Sequence, residues 1–274
     1  MNTKDSNFGG YLQNYAPSGK IYEHILNEIN RRGSLYFILI DPDKPNSNLP
    51  KFIRTATDCG VDAFLVGSSL LLSQNFEKCV RTIKRNTDKP VIIFPGSIYQ
   101  ISKDADAILF LSVLTSTNTE YIIGQQILAS PIIFKHRIEA ISTAYLLIES
   151  GKMTSAIFIS QSKPIPRDKP DIAVAYSLTA QYLGMKFIYL EAGSGADNSV
   201  PIEIIQQIKS FVKIPIIVGG GIRNPETAFE KAKAGADIIV TGNILENTSS
   251  QNYKNLICEF VNAIHENKKE KRNG

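Results

Sequence analysis

Short apolar runs rich in β-branched residues recur along this chain, each followed by glycine, proline or small polar residues. Such runs read as strands buried on both faces, and helical apolar spacing fills most of the intervals between them. The predicted strands are Leu35–Ile40, Ala63–Val66, Val91–Phe94, Ala107–Leu111, Ala140–Ile148, Phe187–Glu191, Ile214–Val218 and Ile238–Thr241. Predicted helices cover Tyr22–Asn30, Leu49–Cys59, Tyr121–Phe134 (steered by Pro131), Asp171–Leu183, Pro201–Phe211 and Tyr253–Ile264. Ala156–Ile159 reads as an extra strand, and the prolines between Ser162 and Pro170 require a loop. The segment Ser97–Lys103 is too short for a good helix, so a loop stands where a third helix would be. Strands alternating with helices predict an α/β fold, a TIM-like (β/α)8 barrel with its third helix replaced by a loop. An open doubly wound sheet is the alternative, but the chain lacks GxGxxG and has no phosphate fingerprint on its first strand. Residues 21–267 read as one domain, residues 1–20 as a loose arm and 268–274 as a basic tail.

The polar signals gather where strands end. Val218 leads into Gly219-Gly220-Gly221, and Asn224-Pro225-Glu226 then has the pattern of a helix start. Thr241 leads into Gly242-Asn243. Glycine-bearing turns after the last two strands resemble the phosphate site of (β/α)8 barrels, where backbone N–H groups converge on an anion. Tyr189 and Glu191 alternate onto the same face of the sixth strand and suit the hydroxyls of a polyol phosphate. A barrel-interior acid paired with a cation is the plainer reading of Glu191. Asp41, before Pro42, ends the first strand and Ser69 follows the second. They present only oxygen, which suits Mg2+ shared with a diphosphate; an Asp-Pro turn or an Asp–Ser hydrogen bond is the bland alternative. Phe94, Tyr99, Ile108, Phe110, Leu114 and Tyr121 can floor an apolar groove or serve as ordinary packing.

Composition narrows the classes. The chain has 274 residues, 43% apolar and 20% charged, and a formal charge of +4. That is an ordinary globular composition with no membrane-length apolar run, no signal-peptide pattern and no nucleic-acid motif, so the cytoplasm is the expected location. Cys59, Cys79 and Cys258 are odd in number and scattered without CxxC, indicating neither a disulfide framework nor a zinc site. His24, His136 and His265 lie far apart and carry no expected role.

The segments LIDPDKP (39–45), VGSS (66–69), SVLTS (112–116), SQSKPIPRDKPDIA (160–173), YLEAGSGA (189–196), VGGGIR (218–223) and TGN (241–243) together resemble the geranylgeranylglyceryl phosphate synthase family. The likeness is to its second group, found in archaea and some bacteria, and runs over nearly all of residues 20–265. It implies transfer of a prenyl group from an allylic diphosphate, of twenty carbons in that group, to the 3-hydroxyl of sn-glycerol 1-phosphate. By motif match, Tyr189, Leu190, Glu191, Ala192, Gly193, Ser194, Gly195, Gly220, Gly221, Gly242 and Asn243 would bind glycerol phosphate. Glu191 and Tyr189 would be catalytic, and Asp41 and Ser69 would hold the cofactor Mg2+. Relatives of the bacterial type carry a phosphate-touching lysine where Leu39 stands here, which shifts weight to the glycine turns and Arg223. Dimers and hexamers both occur in the family, so a homo-oligomer is expected.

Rival functions remain from the residues alone. A Schiff-base aldolase needs a lysine at an inward strand end, and Lys135, Lys152 and Lys186 fall at helix or turn positions. An acid/base isomerase wants a second acid opposite Asp41, with only Glu139 and Glu149 nearby in the pattern. A barrel that binds phosphate without turnover is the non-enzymatic rival.

Overall fold

The computed structural model describes residues 19–44, 48–242 and 253–273, with side chains as far as Glu266. The strands β1 (Leu35–Ile40), β2 (Ala63–Val66), β3 (Val91–Ile93), β4 (Ala107–Val113), β5 (Glu139–Leu147), β6 (Phe187–Glu191), β7 (Ile216–Gly219) and β8 (Ile238–Thr241) close in chain order into a parallel barrel. Alternate residues take opposite faces. Phe37, Leu65, Ile92, Leu109 and Ile217 fill the interior, while Tyr36, Phe64, Ile188, Val218 and Ile239 pack beneath the helices. Burial on both faces is why the strands read as unbroken apolar runs.

The helices are α1 (Lys20–Arg32), α2 (Leu49–Cys59), α3 (Phe76–Lys84), α4 (Gln125–His136), α5 (Ser155–Ile159), α6 (Pro170–Tyr182), α7 (Ile202–Phe211), α8 (Pro225–Ala234) and α9 (Tyr253–Asn273). Helix α1 closes the barrel floor. Ile25 joins the interior cluster, and the N–H groups of Ile21 and Tyr22 donate to the Glu139 carboxylate, each at 2.8 Å. His265 sits on the same floor, 2.8 Å from Asp62, a structural placement away from the barrel mouth. Between β3 and β4 there is no helix, as expected; α3, which was not among the predicted helices, fills the β2–β3 connection and buries Phe76, Cys79, Val80 and Ile83 at helical spacing. A π-helical turn, Glu120–Gly124, precedes α4, which continues through Pro131.

Three expectations are corrected. Ala156–Ile159 is not a strand but lies in α5, because a closed barrel pairs β5 with β6 and leaves no edge to extend. Its N–H groups are satisfied locally instead, Phe158 donating to Thr154 O and Ser160 to Ala156 O. The closing helix runs well past Ile264, so its backbone remains helical through most of the segment read as a separate tail.

The third correction concerns the cysteines. Cys59 and Cys258 form a disulfide with Cα atoms 5.0 Å apart, and Cys79 is free and buried. Their separation of 199 residues hides a pairing that α2 and α9 create by packing side by side. Closing so long a loop restricts the unfolded chain, with a typical contribution of about 2–4 kcal/mol. Reduction, or Cys59→Ser, is therefore expected to lower the Tm by several degrees in a thermal melt; an unchanged Tm would show that the bond adds nothing.

Candidate active site

A cavity of about 860 Å³ opens at the carboxyl ends of the strands. Glycine turns form one wall. Gly195, Gly220 and Gly221 line it, and among the described residues their N–H groups make no intramolecular hydrogen bond. Helix α8 starts just beyond, with Asn224 Oδ1 accepting from Thr227 N at 2.8 Å and Pro225 in its first turn. The helix therefore adds its positive N-terminal dipole to the same wall. Arg223 also lines the cavity and donates to Ala196 O at 2.9 Å. Unused N–H groups beside a helix start make a setting for an anion.

Glu191 stands beside this wall at the end of β6, and it is buried. Its Oε1 accepts from Gly193 N at 2.6 Å, and Tyr189 and Tyr145 lie beside its carboxylate. Burial pushes its pKa up to about 7, against the opposing pull of the Gly193 N–H and the two neighbouring phenols. Burial and the neighbouring carboxylate hold both phenols well above their ordinary value. No cation pairs with Glu191 among the described residues, so it is not the interior ion pair of the plainer reading. The tyrosines are locked by Phe94, stacked on Tyr189 at 5.0 Å and edge-on to Tyr145 at 5.7 Å. Two glycines make room for this group. A Cβ on Gly219 would lie 2.5 Å from the Tyr189 hydroxyl, and one on Gly220 would lie 2.4 Å from Glu191 Oε1.

Asp41 and Ser69 line the opposite side of the cavity with Lys44. Asp41 Oδ1 accepts from Asp43 N at 3.0 Å, and Lys44 Nζ lies 3.9 Å from Oδ2. No hydrogen bond joins Asp41 to Ser69 among the described residues, so the Asp–Ser hydrogen bond of the bland alternative is not formed. The second acid of the turn is structural: Asp43 accepts from Leu72 N and Ser73 N, tying the β1 turn to the loop after β2. One carboxylate and one hydroxyl fit a Mg2+ ion that takes its remaining ligands from water and phosphate. Among the described residues no group of three or more His, Cys, Asp or Glu side chains forms a fuller metal cage.

Between the walls the lining turns apolar. Phe94, Leu111, Val113 and Tyr121 face the cavity, and a side slot of about 70 Å³ continues between β4 and α4 past Ile108, Phe110 and Ile133. Of the expected groove residues, Tyr99 is exposed and Leu114 packs against the outer cluster.

The structure thus brings Asp41, Ser69, Tyr189, Glu191, Ser194, Gly195, Gly220, Gly221 and Gly242 to one cavity. Leu190 and Ala192 do not reach it: strand alternation turns them into the helix-facing layer. Gly193 serves through its N–H to Glu191, and Asn243 lies outside the described residues. Leu39 lines the cavity close to Gly242. Tyr145 is the residue that sequence reading missed: the β5–β6 register pairs it directly with Tyr189, and alternation then points both inward.

The PcrB family model matches residues 27–260. The chain is 45% identical over 244 residues to the geranylgeranylglyceryl phosphate synthase of Methanosphaera stadtmanae, covering 89% of this chain and 99% of that one. It is 41% identical to the Chitinophaga pinensis enzyme of the same name over 247 residues, covering 90% and 96%. The crystal structure of (S)-3-O-geranylgeranylglyceryl phosphate synthase from Thermoplasma acidophilum, in complex with sn-glycerol-1-phosphate, superposes with a TM-score of 0.84 at 38% identity, covering 89% of this chain and 98% of the other. On these matches, with the barrel and its strand-end cavity already in view, the chain belongs to the PcrB family.

Proposed function

We propose that this protein is a prenyltransferase that joins geranylgeranyl diphosphate to the 3-hydroxyl of sn-glycerol 1-phosphate and releases diphosphate. The observation that carries the reading is Glu191, a buried carboxylate set between unused backbone N–H groups and an apolar cavity. In this account the phosphate monoester lies against Gly195, Gly220 and Gly221, which brings the glycerol hydroxyls to Glu191 and Tyr189. The 3-hydroxyl oxygen forms a bond to the allylic C1 while the C1–O bond to diphosphate breaks, and its electron pair leaves with the diphosphate. The hydroxyl proton passes to Glu191, whose pKa near 7 matches a base working at neutral pH. Tyr145 and Tyr189 orient that carboxylate, and their phenols stay protonated throughout. Lys44 faces the leaving diphosphate from the rim. The apolar groove holds the tail, each buried CH2 contributing about 0.8 kcal/mol.

Mg2+ at Asp41 and Ser69 would supply positive charge to the departing diphosphate. Activity is expected to vanish in EDTA and return with added Mg2+, and full turnover in chelator would remove Asp41 from the scheme. The reaction itself is tested by incubating radiolabelled sn-glycerol 1-phosphate with prenyl diphosphates of graded length and separating the products. A labelled, organic-extractable ether is the expected result, greatest with the twenty-carbon donor. Absence of product with every donor would defeat the proposal.

A further inference from the structure

Two cations near the glycine wall have no part in the scheme above. Lys231, on α8, is buried at 3% exposure, and its Nζ donates to Val200 O at 2.6 Å. Arg167, from the proline-rich loop before α6, donates to Ser199 O at 2.8 Å and to Glu149 O at 3.1 Å. Among the described residues neither is paired with a carboxylate. Burial and the neighbouring Arg167 push the Lys231 pKa down to about 8, so its charge is held against the preference of its surroundings. A buried ammonium without a counter-ion is costly to keep unless nearby groups or a ligand compensate it.

What the two cations grip is the far end of the turn that carries Gly195. Arg223 holds Ala196 O on the same stretch, so three side chains from separate segments fix the carbonyls of residues 196, 199 and 200. That stretch also backs the second glycine turn, because a Cβ on Gly221 would lie 3.0 Å from Ser199 N and 3.1 Å from Asn198 C. The Arg167 loop is itself anchored to the end of β5, with Ile165 N donating to Leu147 O at 2.8 Å and Glu149 N to Ile165 O at 2.9 Å. The two glycine turns therefore share one support.

We infer that Arg167 and Lys231 are positioning residues for the phosphate monoester: by holding the Ser199 and Val200 carbonyls, they fix the Gly195 and Gly221 turns and keep positive charge behind their N–H groups. This rests on the prenyl-transfer reading above, in which that monoester is glycerol 1-phosphate. The two side chains act on binding of one substrate and leave the prenyl groove and the metal side untouched.

The test compares Arg167→Met, Arg167→Lys and Lys231→Met with wild type and with Lys209→Met. Lys209 pairs with Asp237 at the start of β8, away from the cavity, and reports the effect of losing a structural cation. Steady-state kinetics and calorimetric titration with glycerol 1-phosphate are run on each folded protein. Arg167→Met and Lys231→Met are expected to raise KM and Kd for glycerol 1-phosphate about tenfold each, equivalent to about 1.4 kcal/mol. KM for geranylgeranyl diphosphate should stay within about twofold on the same scale. Arg167→Lys should recover most of the loss, and Lys209→Met should lower only the Tm. Should Lys231→Met fail to fold, the half-buried Arg167 pair decides the matter. Unchanged glycerol phosphate affinity, or equal losses for both substrates, would overturn the inference while wild-type turnover left the reaction standing. A wild-type protein that neither binds nor turns over glycerol 1-phosphate would instead remove the functional reading, and this inference with it.

Discussion

Replacing Glu191 by Gln is expected to lower kcat by about two to four orders of magnitude, the usual range for loss of a positioned base. KM for glycerol 1-phosphate should change little, because an amide oxygen can still accept from Gly193 N. The same exchange should stabilise the fold above neutral pH. Burial raises this carboxyl from its ordinary 4.5 to about 7, so the native state holds a proton that the unfolded chain has already released. Stability from this group is therefore complete at low pH, falls as pH rises between those values, and stays low above about 7. The uncharged amide of the Glu191→Gln variant escapes that loss, and at pH 8 the variant should gain on the order of a few kcal/mol. For the wild type, kcat should rise with pH through about 7 as the base ionises. A pH–rate profile and paired thermal melts at pH 5 and pH 8 check both signs. Undiminished turnover in the variant would reject Glu191 as the base.

The second large effect is expected from one methyl group. Gly220 sits at φ +79, and a Cβ there would lie 2.4 Å from Glu191 Oε1 and 2.6 Å from Gly193 N. Gly220→Ala therefore adds left-handed strain of about 1–2 kcal/mol and forces the carboxylate off its backbone donor. The carboxylate and the free N–H wall move together, so kcat/KM should fall by about a thousandfold, roughly 4 kcal/mol. Gly184, at φ +73 with nothing within 4 Å of its Cβ position, separates strain from crowding. Gly184→Ala should lose about 1 kcal/mol of stability and keep its activity. Equal activities in the two alanine variants would show that the tight contact at Gly220 has no functional weight.

Where the sequence was legible, a local rule and the tertiary structure agreed. The runs at 35–40 and 238–241 are apolar without alternation because both faces of a parallel barrel strand are covered. The triple glycine reads as bare backbone near an anion, and the structure adds a reason for its first two members: Tyr189 and Glu191 press against them. The paired spacing of Tyr189 and Glu191 sufficed to put both in one cavity. The same period-two rule, carried to its end, would also have kept Leu190 and Ala192 out of it. A motif match spans a whole segment, whereas a strand offers alternate residues.

Other features depend on pairings that no local window contains. Tyr145 becomes a partner of Glu191 only through the β5–β6 register. Ala156–Ile159 has the composition of a strand, and closure of the sheet is what denies it one. The Cys59–Cys258 bond links elements near opposite ends of the chain. Arg167 and Lys231 meet only where two loops and a helix converge behind the glycine turns.

A crystal structure with sn-glycerol 1-phosphate tests the central claim most directly. The account predicts phosphate oxygens within hydrogen-bonding distance of the N–H groups of Gly195, Gly220 and Gly221, with a glycerol hydroxyl on Glu191. A phosphate seated elsewhere in the barrel, with those N–H groups left to solvent, would contradict it.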